Sequence, residues 1–165
     1  MHGLGNDFVV LVPAQIGDQD WPDLARRMCD RHFGIGADGI LLVLPSASAD
    51  FRMRMFNPDG SEAEMCGNGI RCFGKLVLEN GFWGSPELTV DTLAGLQRLR
   101  LHVQNGKVDS VEVDMGLPQA PATDQRLVIR VNGEDLALTQ VSMGNPHAME
   151  FLETPVEDYP LTTIG

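Results

Sequence analysis

The residues that follow Cys66 form the pattern that most constrains the fold of this chain. Small and apolar side chains recur there every three to four positions, which predicts a helix with a wide apolar stripe. They are Ile70, Phe73, Gly74, Val77 and Leu78. Asn80-Gly81 is expected to end this helix. Most of the remaining apolar residues lie in short strand-like runs, so the pattern as a whole indicates an α+β fold.

Strands are predicted from short buried runs and from alternation of apolar with polar residues. They are expected at residues 8–12, 40–44, 51–55, 99–103, 111–115, 127–131, 136–138, 141–143 and 147–151. Asn105-Gly106 and Asn132-Gly133 each lie between alternating runs, which predicts two hairpins. A further helix is expected after Asp20, with Pro22 in its first turn, and it should stop before Gly34.

Composition narrows the class of protein. The 165 residues are 43% hydrophobic, as in an ordinary globular chain. Twelve basic against 23 acidic residues give a net charge of −11, which argues against nucleic acid and anionic membrane surfaces as partners. No apolar run of 18 residues and no secretory signal is evident, and three cysteines are too few for a disulfide framework. The expected compartment is the cytoplasm.

Cys66 is the candidate reactive group, because it stands where the predicted central helix begins. The positive end of a helix favours a thiolate and can hold a carboxylate, and Gly67 and Gly69 allow close approach of a ligand. A basic sulfur beside a carboxylate site suits removal of the α-proton of an amino acid. The alternative interpretation is a buried, inert thiol. Cys72 lies about 240° further round the helix and, like Cys29, is expected in the core.

Other motifs carry weaker signals. Residues 34–39 match a dinucleotide fingerprint as a string, but a helix end precedes them and a strand follows, which argues against nucleotide binding. His147 follows the turn-forming Gly144-Asn145-Pro146 and has a site-like setting. Asn6 and Asp7 follow two glycines and belong either to a turn or to a polar lining.

Five ordered segments resemble the diaminopimelate epimerase family. They are MHGLGNDF at 1–8, RHFGIGADG at 31–39, FNPDGSE at 56–62, MCGNGIRCF at 65–73 and VSMGNPH at 141–147. The resemblance implies a cofactor-independent isomerase that interconverts LL- and meso-diaminopimelate on the bacterial route to lysine and peptidoglycan. It also implies two pseudo-symmetric halves, each a curled mixed sheet around a central helix. Residues 1–114 would form the first half and residues 115–165 the incomplete beginning of the second.

The resemblance also assigns site residues. Two cysteines act on opposite faces of the α-carbon, and Cys66 corresponds to one of them. His147 would support the catalytic site, without itself carrying the proton. The residues expected to bind the substrate are Asn6, Asn57, Gly67, Asn68 and Asn145. No metal or cofactor is implied, the partner is a small amino-acid substrate, and family members commonly form homodimers.

The sequence departs from the family pattern in three respects. It has no second Cys-Gly-x-Gly segment and no later Glu-Arg substrate clamp, and Gly39 stands where some members carry a glutamine. We therefore expect roughly the first three-fifths of an epimerase, unable by itself to epimerise. The alternatives are an isomerase like proline racemase, and a substrate-binding fragment without catalysis.

Overall fold

The computed structural model describes residues 1–119, 126–143 and 146–164. They divide into two compact units, Met1–Met115 and Gly116–Gly165. Within the described ranges, no helix is long and apolar enough to cross a membrane.

The first unit contains an eight-stranded mixed sheet. Its strands are β1 (His2–Gly3), β2 (Asn6–Leu11), β3 (Gly39–Leu44), β4 (Phe51–Phe56), β5 (Glu62–Ala63), β6 (Glu87–Thr92), β7 (Gly95–Gln104) and β8 (Lys107–Asp114). The spatial order is β1-β2-β3-β4-β6-β7-β8, and β5 pairs with β4. The β2–β3 and β4–β6 pairs are parallel, and the other pairs are antiparallel.

Three helices accompany this sheet: α1 (Pro13–Ile16), α2 (Trp21–Cys29) and α3 (Gly67–Glu79). The predicted α2 and α3 are both confirmed. The Asp20 carboxylate accepts a hydrogen bond from the N–H of Asp23 at 3.1 Å and caps α2, while α3 ends at Glu79 with Asn80 as its C-cap. Helix α3 contacts β1 and β2 at one end of the strand order and β7 and β8 at the other. The sheet therefore curls around α3.

The apolar stripe of α3 forms the main core. Ile70, Phe73 and Val77 are fully buried against the sheet. Burying one such side chain contributes roughly 2 kcal/mol before the entropy of ordering it is subtracted. A Cβ added at Gly74 would lie 2.9 Å from Cδ2 of Leu99, so the absence of a side chain there allows α3 to approach β7 closely.

Strand β3 is covered on both faces, which explains its uninterrupted apolar sequence. Leu41 and Val43 belong to the α3 core, whereas Ile40 and Leu42 pack in a second cluster with residues of α2. Cys29 lies in this second cluster. The curled sheet thus holds α3 on one face and carries α2 on the other.

The second unit contains a three-stranded antiparallel sheet in the order β11-β10-β9. The strands are β9 (Leu127–Val131), β10 (Glu134–Ser142) and β11 (Pro146–Met149), followed by a 3₁₀ turn at Val156–Asp158 and α4 (Leu161–Ile164). Asn132 and Gly133 have φ values of 52° and 90°. Positive φ at both turn residues fits a two-residue hairpin loop, which confirms the hairpin predicted there.

The strand predictions need correction. The separate strand expected at residues 141–143 is wrong, because β10 runs without a break to Ser142. One end of β10 pairs with β9 and the other with β11, and these partners keep it extended throughout. Strand β6 was not predicted, although Leu88, Val90 and Thr92 alternate as its buried residues.

Candidate active site

Cys66 lies immediately before the first turn of α3, in an extended conformation with φ −140° and ψ 116°. Its side chain is partly exposed, and Sγ accepts a hydrogen bond from the N–H of Gly69 at 3.4 Å. A Cβ at Gly69 would lie 3.2 Å from Cδ2 of Leu41, so a glycine lets the helix start close against β3. The first-turn N–H groups of a helix have no carbonyl partner within it, and they attract negative charge. The fold therefore places a thiol at an anion-favouring position.

Two asparagines adjoin this thiol. Cys66 Sγ donates to Oδ1 of Asn6 at 3.6 Å, and Nδ2 of Asn68 donates to the same oxygen at 3.3 Å. Arg71, one turn further along α3, donates from Nη2 to Oδ1 of Asn68. The tight turn at Leu4-Gly5 between β1 and β2 brings Asn6 to this place. Asn6 thus follows a turn and its side chain contacts Cys66, and its role in lining a substrate site stays a prediction.

Asp38 holds the other end of the Asn6 amide. Nδ2 of Asn6 donates to Oδ2 of Asp38 at 2.8 Å, and the N–H of Asp7 donates to the same oxygen at 3.0 Å. Arg31 Nη2 bridges the carboxylates of Asp38 and Asp7 at 2.7 Å each. The hydrogen bond from Asn6, then that from Asp7 and the contact with Arg31, lower the pKa of Asp38 to about 2. These two carboxylates in turn raise the pKa of Arg31.

Asn57 hydrogen-bonds to a turn of the first unit. It follows β4 and donates from Nδ2 to Oγ of Ser61 at 3.0 Å, within the turn that it begins. Arg26 of α2 donates to the carbonyl oxygen of Asp59 at 3.2 Å and holds this turn against the helix. Asn57 therefore hydrogen-bonds its own turn rather than the thiol and its amides.

Two of the expected site residues, Asn145 and His147, belong to the second unit. Asn145 lies outside the described residues. His147 is exposed in β11, where it pairs with Val141 of β10. Its expected supporting role stays a prediction, as does that of Asn145.

The remaining two cysteines are core residues, as predicted. Cys29 and Cys72 have 3% and 4% of their surface exposed, and burial raises the pKa of each thiol. Cys66 is therefore the one accessible thiol among the three cysteines of the sequence. Among the described residues, no group of three or more His, Cys, Asp or Glu side chains is placed to hold a metal ion.

The family model for diaminopimelate epimerase matches residues 1–121. The chain belongs to the diaminopimelate epimerase family. It is 52% identical to the diaminopimelate epimerase of Moorella thermoacetica and 45% identical to that of Acetivibrio thermocellus, in both cases over its whole length. The chain spans 63% and 62% of these two relatives, about three-fifths of their length.

A solved structure supports the fold assignment. The probable proline racemase of Agrobacterium radiobacter K84 superposes with a TM-score of 0.66 and 23% identity, covering 80% of this chain and 40% of that one. At this identity the likeness concerns the fold alone. It agrees with the curled mixed sheet around a central helix that the epimerase resemblance implied.

Asp38 and Arg71 were not predicted to lie in the hydrogen-bond network beside Cys66, although both lie in the segments that resemble the epimerase family. Asp38 stood inside the rejected nucleotide fingerprint, and the strand after it is confirmed as β3. One available signal was an acidic residue directly before a buried strand. A Cβ at Gly39 would lie 2.9 Å from the carbonyl oxygen of Phe56, so a larger residue there requires the backbone to shift.

Proposed function

We propose that this chain forms the Cys66 side of a cofactor-independent diaminopimelate epimerase, which interconverts the LL and meso forms of its substrate. The observation that carries the proposal is the accessible Cys66 thiol at the start of α3, flanked by amides, in a chain of this family. The proton of the substrate α-carbon passes to Sγ, and the electron pair left behind is delocalised into the α-carboxylate.

Both protonation states of Cys66 have a partner, which is what a proton carrier needs. The Gly69 N–H and the start of α3 stabilise the thiolate that accepts the proton. Oδ1 of Asn6 accepts a hydrogen bond from the thiol once the proton is bound. The first turn of α3, with Gly67 and Asn68, is proposed to hold the α-carboxylate of the substrate, since helix N-termini bind anions.

The other expected contributors complete the proposal. Asn57 and Asn145 are proposed to bind the substrate, and His147 to support the site. Met1–Met115 is proposed as the first of the two family halves, and the following unit as belonging to the second. The whole protein is proposed to be a cytoplasmic homodimer that binds neither nucleic acid nor membranes, in keeping with its net charge of −11.

Inversion requires a second acid on the opposite face of the α-carbon. Cys29 and Cys72 are buried and cannot serve. We therefore propose that the 165-residue chain exchanges the α-proton from one face and does not invert the stereocentre at the rate of a complete two-base site.

Ligand protection of Cys66 tests the proposed substrate. Diaminopimelate is expected to slow alkylation of Cys66 by iodoacetamide, because the bound substrate covers Sγ. Lysine, which lacks the second carboxylate, serves as a matched ligand control, and proline and hydroxyproline complete the panel. Mass spectrometry of the Cys66 peptide gives the rate. Protection by proline but not by diaminopimelate favours a proline-racemase-like isomerase, and protection by neither contradicts substrate binding at Cys66.

A further inference from the structure

A chain of hydrogen bonds runs from a cation to an anion past the candidate catalytic thiol. Arg71 donates to Asn68, Asn68 donates to Asn6, and Asn6 donates to Asp38. We call these four residues the amide chain. Its two inner members are neutral amides and its two ends are charged.

The charged ends determine the direction of every hydrogen bond in the amide chain. An asparagine amide turned by 180° keeps its shape but exchanges its donor and acceptor ends. A guanidinium group only donates, which obliges Asn68 to turn Oδ1 towards Arg71 and Nδ2 towards Asn6. A carboxylate only accepts, which obliges Asn6 to turn Nδ2 towards Asp38. Both ends thus require the same orientation of Asn6.

The orientation of the Asn6 amide determines whether an oxygen or an N–H group faces the Cys66 sulfur. With Nδ2 on Asp38, Oδ1 of Asn6 points to Sγ and accepts the thiol proton. In the reversed orientation an N–H group faces the sulfur, which favours the thiolate and leaves the thiol proton without this acceptor.

We propose that Asp38 and Arg71 are positioning residues that fix the amides of Asn6 and Asn68, so that Asn6 presents its carbonyl oxygen to the Cys66 thiol. The catalytic meaning of this arrangement rests on the proposed function, in which Cys66 carries the proton. The arrangement itself is a property of the folded chain and is measured without substrate.

Asp7 supplies a matched control for Asp38. The charged groups of the network are Arg71, Asp38, Arg31 and Asp7, and both carboxylates bind Arg31. Only the Asp38 carboxylate also accepts from the Asn6 side chain, whereas the Asp7 carboxylate bonds to Arg31. Asp38→Asn and Asp7→Asn therefore each remove one charge, but only Asp38→Asn loosens the hold on the Asn6 amide, because an amide at position 38 can present either a donor or an acceptor to it while Asn68 still holds its other end.

The test measures the rate of Cys66 alkylation by iodoacetamide from pH 6 to 9 in about 1 M NaCl, where the Debye length is about 3 Å and charge effects are screened. In Asp38→Asn the orientation of the Asn6 amide is held only by Asn68, so the amide presents an N–H to sulfur part of the time and raises the fraction of reactive thiolate. We expect this variant to react at least about threefold faster than Asp7→Asn at neutral pH. Equal rates, or a slower Asp38→Asn, overturn the proposal. Circular dichroism checks that both variants are folded.

A second measurement needs no variant and decides the matter if Asp38→Asn fails to fold. In the ¹⁵N-labelled chain, the Nδ2 protons of Asn6 are expected to show nuclear Overhauser contacts with the N–H of Asp7, because both donate to one carboxylate oxygen. Contacts with the β-protons of Cys66 instead mean the reversed orientation and overturn the proposal. Since neither experiment contains diaminopimelate, failure here is distinguishable from failure of the substrate-protection experiment.

Discussion

Cys66 differs from the other two thiols in its surroundings. Its sulfur accepts a hydrogen bond from the N–H of Gly69 and donates one to Oδ1 of Asn6, so both the thiolate and the thiol have a partner. Burial disfavours the charged form of Cys29 and Cys72 and leaves them without a role in proton transfer. These surroundings support the proposal that Cys66 is the thiol that carries the proton.

Alkylation should distinguish these thiols. In the folded chain we expect iodoacetamide to modify Cys66 at least about tenfold faster than Cys29 or Cys72, because accessible thiolates are the reactive form. Peptide mapping by mass spectrometry measures the three rates. The same reaction in urea is the control, since unfolding exposes all three side chains and should bring their rates together. Equal rates in the folded state contradict the assignment of Cys66 as the accessible thiol.

Among the elements, the loop between α2 and β3 carries Arg31 and Asp38 and is held tightly to the end of α2. The N–H of Gly34 donates to the carbonyl oxygen of Asp30 at 3.0 Å. A Cβ added at Gly34 would lie 2.2 Å from the carbonyl oxygen of Arg27, which no side-chain rearrangement relieves. Gly34 is thus required by close contact between two backbone segments.

Substitution at Gly34 should therefore weaken the fold. We expect Gly34→Ala to lower the free energy of unfolding by about 3 kcal/mol, because the loop backbone must move away from α2. Gly84→Ala is the control, since nothing lies within 4 Å of a Cβ at that position. Urea unfolding followed by circular dichroism measures both. A Gly34→Ala chain as stable as Gly84→Ala shows that the loop is not held in this way.

The elements near the site were predictable to different extents. Helix α3 and the place of Cys66 at its start follow from local spacing and from the glycines that flank the thiol. The contact of Asn6 with Asp38 joins residues 32 positions apart, and that of Asn6 with Cys66 joins residues 60 apart. Such contacts depend on the pairing of β2 with β3 and on the curl of the sheet around α3, which no local pattern encodes. The family resemblance supplied Asn6, but not the residues that orient it.

For the whole molecule, acidic residues with lowered pKa values link stability to pH. Hydrogen bonds from Asn6, Arg54 and Lys75 lower the pKa values of Asp38, Glu62 and Glu79, respectively. A carboxyl group whose pKa is lower in the folded than in the unfolded state stabilises the fold above its unfolded pKa. That contribution is lost as the pH falls through the folded value.

Acid unfolding should show this dependence. For Asp38 the loss is expected between about pH 4, the unfolded value, and about pH 2 in the folded chain. We expect the free energy of unfolding to fall with pH below about 4, and to fall less steeply in Asp38→Asn, which has no proton to take up there. Urea titrations at a series of pH values measure the slope. An unchanged slope in the variant contradicts the assigned environment of Asp38.

Deuterium uptake at the α-carbon of diaminopimelate tests the central claim most directly. The chain is incubated in D₂O with the LL form and, separately, with the meso form, and NMR follows exchange and inversion separately for each. We expect the α-proton to exchange but the stereocentre not to invert at the rate of a complete two-base site. Exchange should be lost completely in Cys66→Ala and retained in the control Cys29→Ala. Exchange that persists unchanged in Cys66→Ala, or none in the unaltered chain, contradicts the role of Cys66 as the base that removes the α-proton.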